Sequence, residues 1–312
     1  MFQFNIQNQK WELHKMPRII CAGLIAIDLV FDITDFPIKG TKNRAFGSNL
    51  ITGGGALNAA STIASLGGQV SLVGAIGDDL FGALLRQKMA DRGVDDQYVI
   101  TISGAATSRS ANMISPDGDR TIINYRDAAL VPKYFNLQAA FPFDAALVDT
   151  RWPDGAIQIV KAARSAGKLA VVDVEAPVAA AEEALVNASH IIFSQQGFAD
   201  YTGGADCSAL ADVAALLGGW CAVTRGALPV LCHDGDAFTE VPTFPTHAVN
   251  TLGAGDVWHG AFTFALIQGF SSLEAVRWAN AAASLKVRQP VVVETLPTAK
   301  DVAMILYQNG QV

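Results

Sequence analysis

The segment with the clearest chemical potential runs from Asn250 to Asp256 and is followed directly by an apolar helical stretch. Gly253, Ala254 and Gly255 let the backbone turn tightly, so that several N–H groups can point at one position at the helix N-terminus, where the helix dipole favours an anion. Asp256 places a carboxylate beside this predicted anion hole. The arrangement suits phosphoryl transfer, because a hydroxyl deprotonated by Asp256 could attack a phosphorus whose developing charge the amides stabilise. Taken alone, an ordinary glycine-rich helix cap explains the segment equally well.

A second glycine cluster lies between a strand-like run and a helical stretch of small residues, and it extends from Gly53 to Asn58. The bare backbone at Gly53 and Gly54 permits a ligand to approach closely, and the amide of Asn58 offers both a donor and an acceptor to sugar hydroxyls. A tight turn with close helix packing would account for this cluster by itself. The two clusters in this order are much harder to explain by turn geometry alone.

The elements that must position these residues alternate along the chain. Short apolar runs of strand length are separated by segments with helical spacing, which predicts βαβ units on a mostly parallel sheet that is covered on both faces. The predicted strands are Arg18–Leu24, Val70–Ala75, Ala145–Asp149, Leu169–Asp173, His190–Phe193 and Cys221–Thr224, and the predicted helices are Ala56–Leu66, Leu80–Arg92, Gly155–Ala166, Leu210–Leu217, Ala254–Ile267, Leu273–Val287 and Thr298–Tyr307.

Two stretches depart from this alternation, at about residues 29–52 and 107–127. In the second, strand-like runs flank the turn sequence Pro116-Asp117-Gly118-Asp119, which is typical of a hairpin. Since these extra strands have no helix to pair with, we expect them to form a small β lid over the carboxyl ends of the main strands, where open α/β folds bind ligands. We predict a loose extension over residues 1–15 and one domain over residues 16–312.

The composition narrows the possible functions. Hydrophobic residues make up 51% of the chain and charged residues only 16%, which argues against disorder. The net charge of −7 comes without a basic block, so nucleic acid is not an expected partner. No apolar run reaches the roughly 18 residues of a membrane span, so no membrane is expected either. The four cysteines are widely spaced and are interpreted as reduced thiols of a cytoplasmic protein.

Four blocks in this order resemble the ribokinase-like (PfkB) carbohydrate kinases from about Pro17 to near the C-terminus. The resemblance implies a three-layer α/β/α sandwich with a β lid, and transfer of the γ-phosphoryl group from ATP to a sugar with Mg²⁺. It also implies that Asp256 is the catalytic base, that the first-strand Asp28 holds sugar hydroxyls, and that two copies can pair through their lids. The matching blocks are Gly23–Asp28, Gly53–Asn58, Gly74–Gly82 and Asn250–Asp256.

The nucleotide side is matched less closely. Thr224-Arg225-Gly226 resembles the family's turn beside the nucleotide phosphates, and Asn280, Ala283 and Ser284 resemble the helix that lines the adenine pocket. Ordinary helix packing explains the last three residues equally well.

Three departures concern the metal and the adenine loop. Asn250 stands where the family has Asp, and Ser194 to Gly197 lacks the carboxylate of a family block that orders metal-bound water beside the nucleotide. The stretch from Gln289 to Val293 replaces a glycine-rich turn. We therefore expect Mg²⁺ to be bound near Asn250 through phosphates and water, with weaker affinity than in the family at large.

The middle of the chain bears on which sugar is used. Residues 120–125 and 149–156 resemble the corresponding stretches of sulfofructose kinases and, more distantly, of ketohexokinases. By that resemblance Asn124 and Arg151 bind a sulfonate, and Lys42 joins them if a one-residue gap follows it. A planar guanidinium, a lysine charge and an amide suit three sulfonate oxygens.

These three residues also have a structural alternative. Arg151 could pair with Asp149 or Asp154, Asn124 could cap a hairpin, and Lys42 could be solvated. His259 is interpreted as a packing residue rather than a second base.

The leading hypothesis is a kinase that acts on the primary 1-hydroxyl of a ketose, with 6-deoxy-6-sulfofructose as a candidate. A kinase of a neutral ketohexose, of ribose or of a nucleoside is the nearest alternative. A sugar-sensing protein that has lost catalysis is a second alternative, suggested by Asn250 and opposed by Asp256, since a binding protein has no use for a base.

Overall fold

The computed structural model describes residues 3–5, 10–12, 16, 18–116, 119–132, 143–290 and 294–310. Within them the strands are, in chain order, β1 (Gln3–Asn5), β2 (Lys10–Glu12), β3 (Arg18–Ala22), β4 (Ala26–Asp32), β5 (Gly47–Gly53), β6 (Gln69–Gly77), β7 (Asp95–Ile102), β8 (Arg109–Ile114), β9 (Arg120–Tyr125), β10 (Ala145–Asp149), β11 (Leu169–Val174), β12 (His190–Ser194), β13 (Trp220–Arg225), β14 (Leu228–His233) and β15 (Phe238–Val241). The helices are α1 (Gly55–Ser65), α2 (Leu80–Asp91), α3 (Pro153–Ser165), α4 (Glu182–Leu185), α5 (Gln195–Thr202), α6 (Leu210–Leu217), α7 (Ala254–Ile267), α8 (Ser272–Val287) and α9 (Ala299–Gln308).

The main sheet has nine strands in the order β15-β14-β13-β12-β11-β10-β3-β6-β7. Its strands from β7 to β13 run parallel, and β14 and β15 complete one edge in antiparallel orientation. The order reverses around β3 and β10, which leaves a crevice at the carboxyl ends of these strands. The helices α1 and α7, which begin at the two glycine clusters, pack against strands of this part of the sheet.

Two apolar cores cover the two faces of the main sheet. Along β10, Ala145 and Leu147 join one core whereas Ala146 and Val148 join the other, because successive side chains of a strand point to opposite faces. The first core is built from α1, α2, α7, α8 and α9, and the second from α3 to α6. The predicted three-layer α/β/α sandwich is thereby confirmed.

A separate four-stranded sheet, ordered β5-β4-β8-β9, is built from the two stretches for which the lid was predicted. Here β4 pairs with β8 in parallel, while β5 and β9 are antiparallel edge strands. We call this sheet the lid. The centre of the predicted hairpin turn, at residues 117 and 118, lies outside the described residues.

Near the start of the chain, β1 and β2 pair as a short antiparallel ribbon that belongs to neither larger sheet. The remainder of the predicted extension lies outside the described residues, and the domain boundary at residue 16 stays a prediction. Across the part of the chain that is described, no helix is both long and apolar enough to cross a bilayer.

Candidate active site

The structure brings the two glycine clusters into direct contact. Gly253 takes the left-handed conformation with φ of 73° and caps α7, so Ala254 and Gly255 form its first turn with Asp256. The Nδ2 group of Asn58 donates a hydrogen bond of 2.8 Å to Oδ2 of Asp256. The predicted base, the predicted anion hole and a predicted sugar ligand therefore share one location.

Close packing of α1 against α7 makes this contact possible. A Cβ atom on Gly260 would lie 2.6 Å from the carbonyl oxygen of Ala59 and 3.0 Å from Cβ of Thr62. Only a glycine lets the two helix backbones approach so closely. The apolar faces of both helices are buried in the same core, which fixes the distance between Asn58 and Asp256.

The carboxyl group of Asp256 is suited to work as a base near neutral pH. Burial raises its pKa to about 6, and the negative charges of Glu175, Asp149 and Asp28 act in the same direction. The hydrogen bond from Asn58 opposes this rise by stabilising the carboxylate. A base with a pKa close to the working pH is efficient, since it is mostly ionised and still accepts a proton readily.

The lid contributes a row of polar side chains on one face. Asp28 on β4 is paired in register with Ser110 on β8, and Ser110 is paired with Asn124 on β9. The hydroxyl of Ser110 donates to Oδ1 of Asp28 at 2.5 Å. Burial raises the pKa of Asp28, and the hydrogen bonds from Ser110 and Asn112 oppose that rise.

Both predicted glycines beside Asp28 have a steric reason to lack a side chain. A Cβ on Gly53 would lie 2.5 Å from the Asp28 carboxylate, and one on Gly54 would lie 2.3 Å from the carbonyl oxygen of Leu24. Gly54 also has a φ of 91°, which a residue with a side chain rarely adopts. At both predicted sugar-binding glycines the backbone is thus packed too closely against its neighbours to carry a side chain.

Asp149 is an organising residue whose role the sequence interpretation missed. Its carboxylate accepts hydrogen bonds from the backbone N–H groups of Leu24 at 2.8 Å, Ala56 at 3.2 Å and Arg151 at 2.9 Å. It connects the segment after β3, the start of α1 and the segment after β10. Burial raises its pKa, and these hydrogen bonds counteract the rise. Its position at the end of a buried strand was the available signal.

Arg151 is partly engaged by the protein itself. Its Nη2 atom lies 2.8 Å from Oε2 of Glu175, and Nη1 donates to the carbonyl oxygen of Ala176. The partner of its guanidinium is therefore neither Asp149 nor Asp154, the two acids considered from the sequence. The side chain lines a small cavity beside Leu24 and Trp152.

Arg126 lines the same cavity and was not singled out from the sequence. It makes no hydrogen bond or ion pair with any residue of the described part of the chain. Partial burial and repulsion from Arg151 lower its pKa. Lys42 and Asn124 are exposed, and neither is among the residues that line this cavity.

The predicted nucleotide-binding residues fall into two groups. Thr224 ends the parallel part of the sheet at β13, and Gly226 follows with φ of 62° and open space around it. Ser194 caps α5 by accepting a hydrogen bond from the N–H of Gly197 at 3.0 Å. These residues lie at carboxyl ends of neighbouring strands, where a nucleotide can bind.

The residues predicted from α8 are turned inward. Asn280 accepts a hydrogen bond from the indole of Trp258 at 2.8 Å and donates to the carbonyl of Pro242 at 3.0 Å, while Ser284 donates to Ala281. Packing thus accounts for Asn280 and Ser284. Ala283 is half-buried on the same helix. A nucleotide role for these three residues stays a prediction.

The metal expectation fits the residues that are present. Among the described residues there is no group of three or more His, Cys, Asp or Glu side chains that could hold a metal ion. Asn250 is buried, and its Oδ1 accepts the N–H of Leu252 at 2.9 Å. Mg²⁺ commonly binds through substrate phosphates and water with few protein ligands, and such binding needs no protein cage.

Comparison with known proteins gives the class to which this fold and site belong. Residues 16–299 match the pfkB family of carbohydrate kinases. The chain is 26% identical to a ribokinase of Bacillus subtilis over 300 residues, which covers 93% of this chain and all of the relative. In structure it resembles a putative ribokinase of Agrobacterium tumefaciens, with a TM-score of 0.90 and 30% identity over 96% of this chain and 100% of the other.

The fold is also shared with Arabidopsis thaliana ribokinase solved with ribose and ATP, with a TM-score of 0.83 and 24% identity over 94% of this chain and 99% of the other. The chain belongs to the pfkB family of carbohydrate kinases. It is a sugar kinase, a phosphotransferase that acts on a sugar hydroxyl.

Proposed function

We propose that this kinase uses ATP and Mg²⁺ to phosphorylate the primary hydroxyl of a ketose that carries an anionic group at its other end. The candidate substrate is 6-deoxy-6-sulfofructose. The observation that carries the reaction is the half-buried Asp256 carboxylate in the first turn of α7, held by Asn58 and beside the backbone amides of the capping turn. The anionic substrate is supported by the cavity that Arg126 and Arg151 share.

In the proposed reaction Asp256 removes the proton of the primary hydroxyl as its oxygen attacks the γ-phosphorus of ATP. The bond from that phosphorus to the bridging oxygen breaks, and ADP leaves. The amides of Gly253, Ala254 and Gly255 stabilise the negative charge on the phosphoryl oxygens. Mg²⁺ held near Asn250 through phosphates and water would supply neutralisation of the phosphate charge. Asn58 keeps the carboxylate of Asp256 ionised and aimed at the sugar.

The distal end of the sugar is proposed to meet the two arginines. Arg126 makes no hydrogen bond or ion pair in the described part of the chain and feels only the longer-range attraction of Asp149 and Glu175, so it can pair with an anion without breaking a direct contact. Arg151 keeps Glu175 and can still offer further N–H donors. Asn124 and Lys42 stay in the proposal as residues brought to the sulfonate when the lid moves over the sugar.

The test is ATP consumption by the purified protein with Mg²⁺ against ribose, fructose, tagatose, adenosine and sulfofructose. We expect the highest kcat/KM on sulfofructose, and fructose serves as the matched neutral ketose. Turnover on a neutral sugar with no preference for sulfofructose would overturn the anionic substrate and leave the sugar kinase intact. Parent-like turnover by Asp256→Asn would overturn the mechanism.

We further propose that two copies pair through their lids. Leu50, Ile123 and Tyr125 lie on the lid face opposite Asp28 and are between 39% and 62% exposed, which makes an apolar surface of the kind that marks a protein contact. A second copy would cover this surface. Light scattering after size exclusion should give a dimer that Ile123→Glu converts to a monomer. The control, Leu216→Glu on α6, should remain dimeric; a monomeric parent chain would contradict the pairing.

A further inference from the structure

A chain of hydrogen bonds continues from Asn58 away from the catalytic base. The hydroxyl of Thr52 donates to Oδ1 of Asn58 at 3.2 Å, and Nη1 of Arg92 donates in turn to the oxygen of Thr52. Nη2 of Arg92 lies 3.2 Å from Oε1 of Glu294, which also accepts the N–H of Thr52 at 3.1 Å. Nζ of Lys88 holds the other oxygen of Glu294 at 2.8 Å. Three separate segments of the chain, β5, α2 and the stretch at Glu294, are thus linked to one amide.

The hydrogen bonds of this network favour one orientation for the Asn58 amide. A guanidinium can only donate, so Arg92 fills one lone pair of the Thr52 oxygen and leaves the hydroxyl hydrogen available for another acceptor. That hydrogen meets Oδ1 of Asn58, which places the NH₂ group on the side of Asp256. A flipped amide would set Oδ1 against the ionised Asp256 carboxylate, where two acceptors repel each other, and would lose that hydrogen bond. The network and the carboxylate therefore favour the same orientation, with the NH₂ group facing Asp256.

The residues of this hydrogen-bond network are shielded from solvent, so their contacts can contribute to the orientation of the amide. Thr52 is 5% exposed, and the side chains of Arg92 and Glu294 are 17% and 30% exposed. Hydrogen bonds to charged groups in such surroundings are stronger than on an open surface, and a partner left alone there is costly. None of these residues belongs to a glycine cluster or to the cavity of Arg126.

We propose that Thr52 and Arg92 are positioning residues for the catalytic base, acting through Asn58. They hold the Asn58 amide so that its NH₂ group supports the ionised form of Asp256. Since Thr52 lies on the lid strand β5, they also connect the position of the lid to the orientation of the base. This inference rests on the proposed role of Asp256.

The first test compares two substitutions that differ by one hydroxyl group. Thr52→Val keeps the shape of the side chain but removes the donor to Asn58, whereas Thr52→Ser keeps the donor. We expect Thr52→Val to lower kcat about tenfold, the effect of about 1.4 kcal/mol. Thr52→Ser should retain most of the parent kcat.

The pH profile provides a readout that a merely structural role would not change. Loss of the oriented Asn58 donor destabilises the Asp256 carboxylate, so the acidic limb of kcat/KM should move to higher pH in Thr52→Val and in Arg92→Met. In Arg92→Lys the acidic limb should move less than in Arg92→Met, because lysine keeps a hydrogen-bond donor. An unchanged limb in Thr52→Val would overturn the proposal.

A double-mutant cycle tests whether the effect passes through the amide. In an Asn58→Ala background Thr52→Val should have no further effect on kcat, because the group it orients is gone. Equal effects in both backgrounds would overturn the proposal. ¹³C NMR titration of the Asp256 carboxyl, assigned with Asp256→Asn, should give a higher pKa in Thr52→Val without any turnover. The NMR titration therefore tests the role of Thr52 and Arg92 independently of the substrate assignment. Thermal unfolding of each variant checks that it is folded.

Discussion

His259 and Asp173 face each other in the buried layer between α7 and β11, with Nε2 of the histidine 3.4 Å from Oδ1 of the aspartate. Both side chains are almost fully buried, and neither of these atoms has a hydrogen-bond partner among the described residues. Nδ1 of His259 lies 2.7 Å from the carbonyl oxygen of Gly255, so Nδ1 carries the hydrogen. His259 therefore packs as expected and also holds the backbone directly before Asp256.

A single proton lies between Nε2 of His259 and Oδ1 of Asp173, and it belongs to the aspartate. Burial raises the pKa of Asp173 well above its usual range, with help from the charges of Glu175, Asp256 and Asp149. Burial lowers the pKa of His259 to about 4, opposed by its hydrogen bond to Gly255. A protonated Asp173 facing a neutral His259 satisfies both preferences and keeps a further negative charge away from Asp256.

Asp173→Asn should raise the stability of the protein at pH 7. A carboxyl with a raised pKa keeps its proton in the folded state while the unfolded chain releases it, so the stability of the parent falls as pH rises above the ordinary value near 4. Asn removes this penalty and still offers an N–H to Nε2. We expect a gain of about 1 kcal/mol or more at pH 7, and little gain at pH 3. Urea unfolding at both pH values measures it; a loss at pH 7 would show that the ionised carboxylate is needed.

The rate should rise with pH through the pKa of the catalytic base. Asp256 must be ionised to accept a proton, and its pKa of about 6 predicts an acidic limb of kcat/KM centred near that pH. Asp256→Asn should lower kcat about 10² to 10⁴-fold and abolish this limb. Steady-state assays from pH 5 to 8 provide the measurement. The exposed Asp212→Asn is the control and should match the parent; an acidic limb that survives in Asp256→Asn would assign it to another group.

The two arginines of the small cavity should affect the sugar and not the nucleotide. Arg126→Met and Arg151→Met should each raise the KM for sulfofructose about tenfold or more, the effect of losing one charge-assisted contact of 1.4 kcal/mol or more. The KM for ATP and the turnover of neutral sugars should change little. Arg164→Met on α3 is a matched control on an exposed arginine. An effect of threefold or less in both cavity variants would contradict an anionic substrate.

Removal of the metal should stop the reaction, and one substitution should strengthen metal use. Excess chelator should abolish activity, and added Mg²⁺ should restore it, since the phosphate charges are otherwise not neutralised. Asn250→Asp should lower the Mg²⁺ concentration for half-maximal rate several-fold, because it adds a carboxylate while keeping an acceptor for the N–H of Leu252. Titration of both proteins with Mg²⁺ is the measurement. Full activity in chelator would contradict the requirement, whereas Asn250→Gln should bring no gain.

Much of the fold could be predicted because buried parallel strands and amphipathic helices have strong local patterns. The predicted Ala145–Asp149, Leu210–Leu217 and Ala254–Ile267 match β10, α6 and α7 residue for residue. The elements that were missed have weaker patterns. β7 is a half-exposed edge strand that alternates polar and apolar residues after an acidic start, and β15 has only four residues.

The proposed catalytic residues could be predicted from the sequence for a reason that does not apply to the residues that support them. Asn58 and Asp256 stand in glycine clusters, where backbone conformation leaves a readable signature. Thr52, Arg92 and Glu294 carry no such signature, because each is an ordinary residue made important by three segments that meet only in the folded chain. Long-range contacts of this kind require the structure.

Two of the links between lid and sandwich are short. Only residues 23–25 separate β3 from β4, and only Gly54 separates β5 from α1. Asp28 and Asn124, two of the side chains proposed to hold the sugar, lie on the lid, whereas the turn proposed to bind phosphate belongs to α7. Such a division lets the two halves of the enzyme diverge separately: lid strands can be remodelled for a new sugar during evolution while the phosphate chemistry is inherited unchanged.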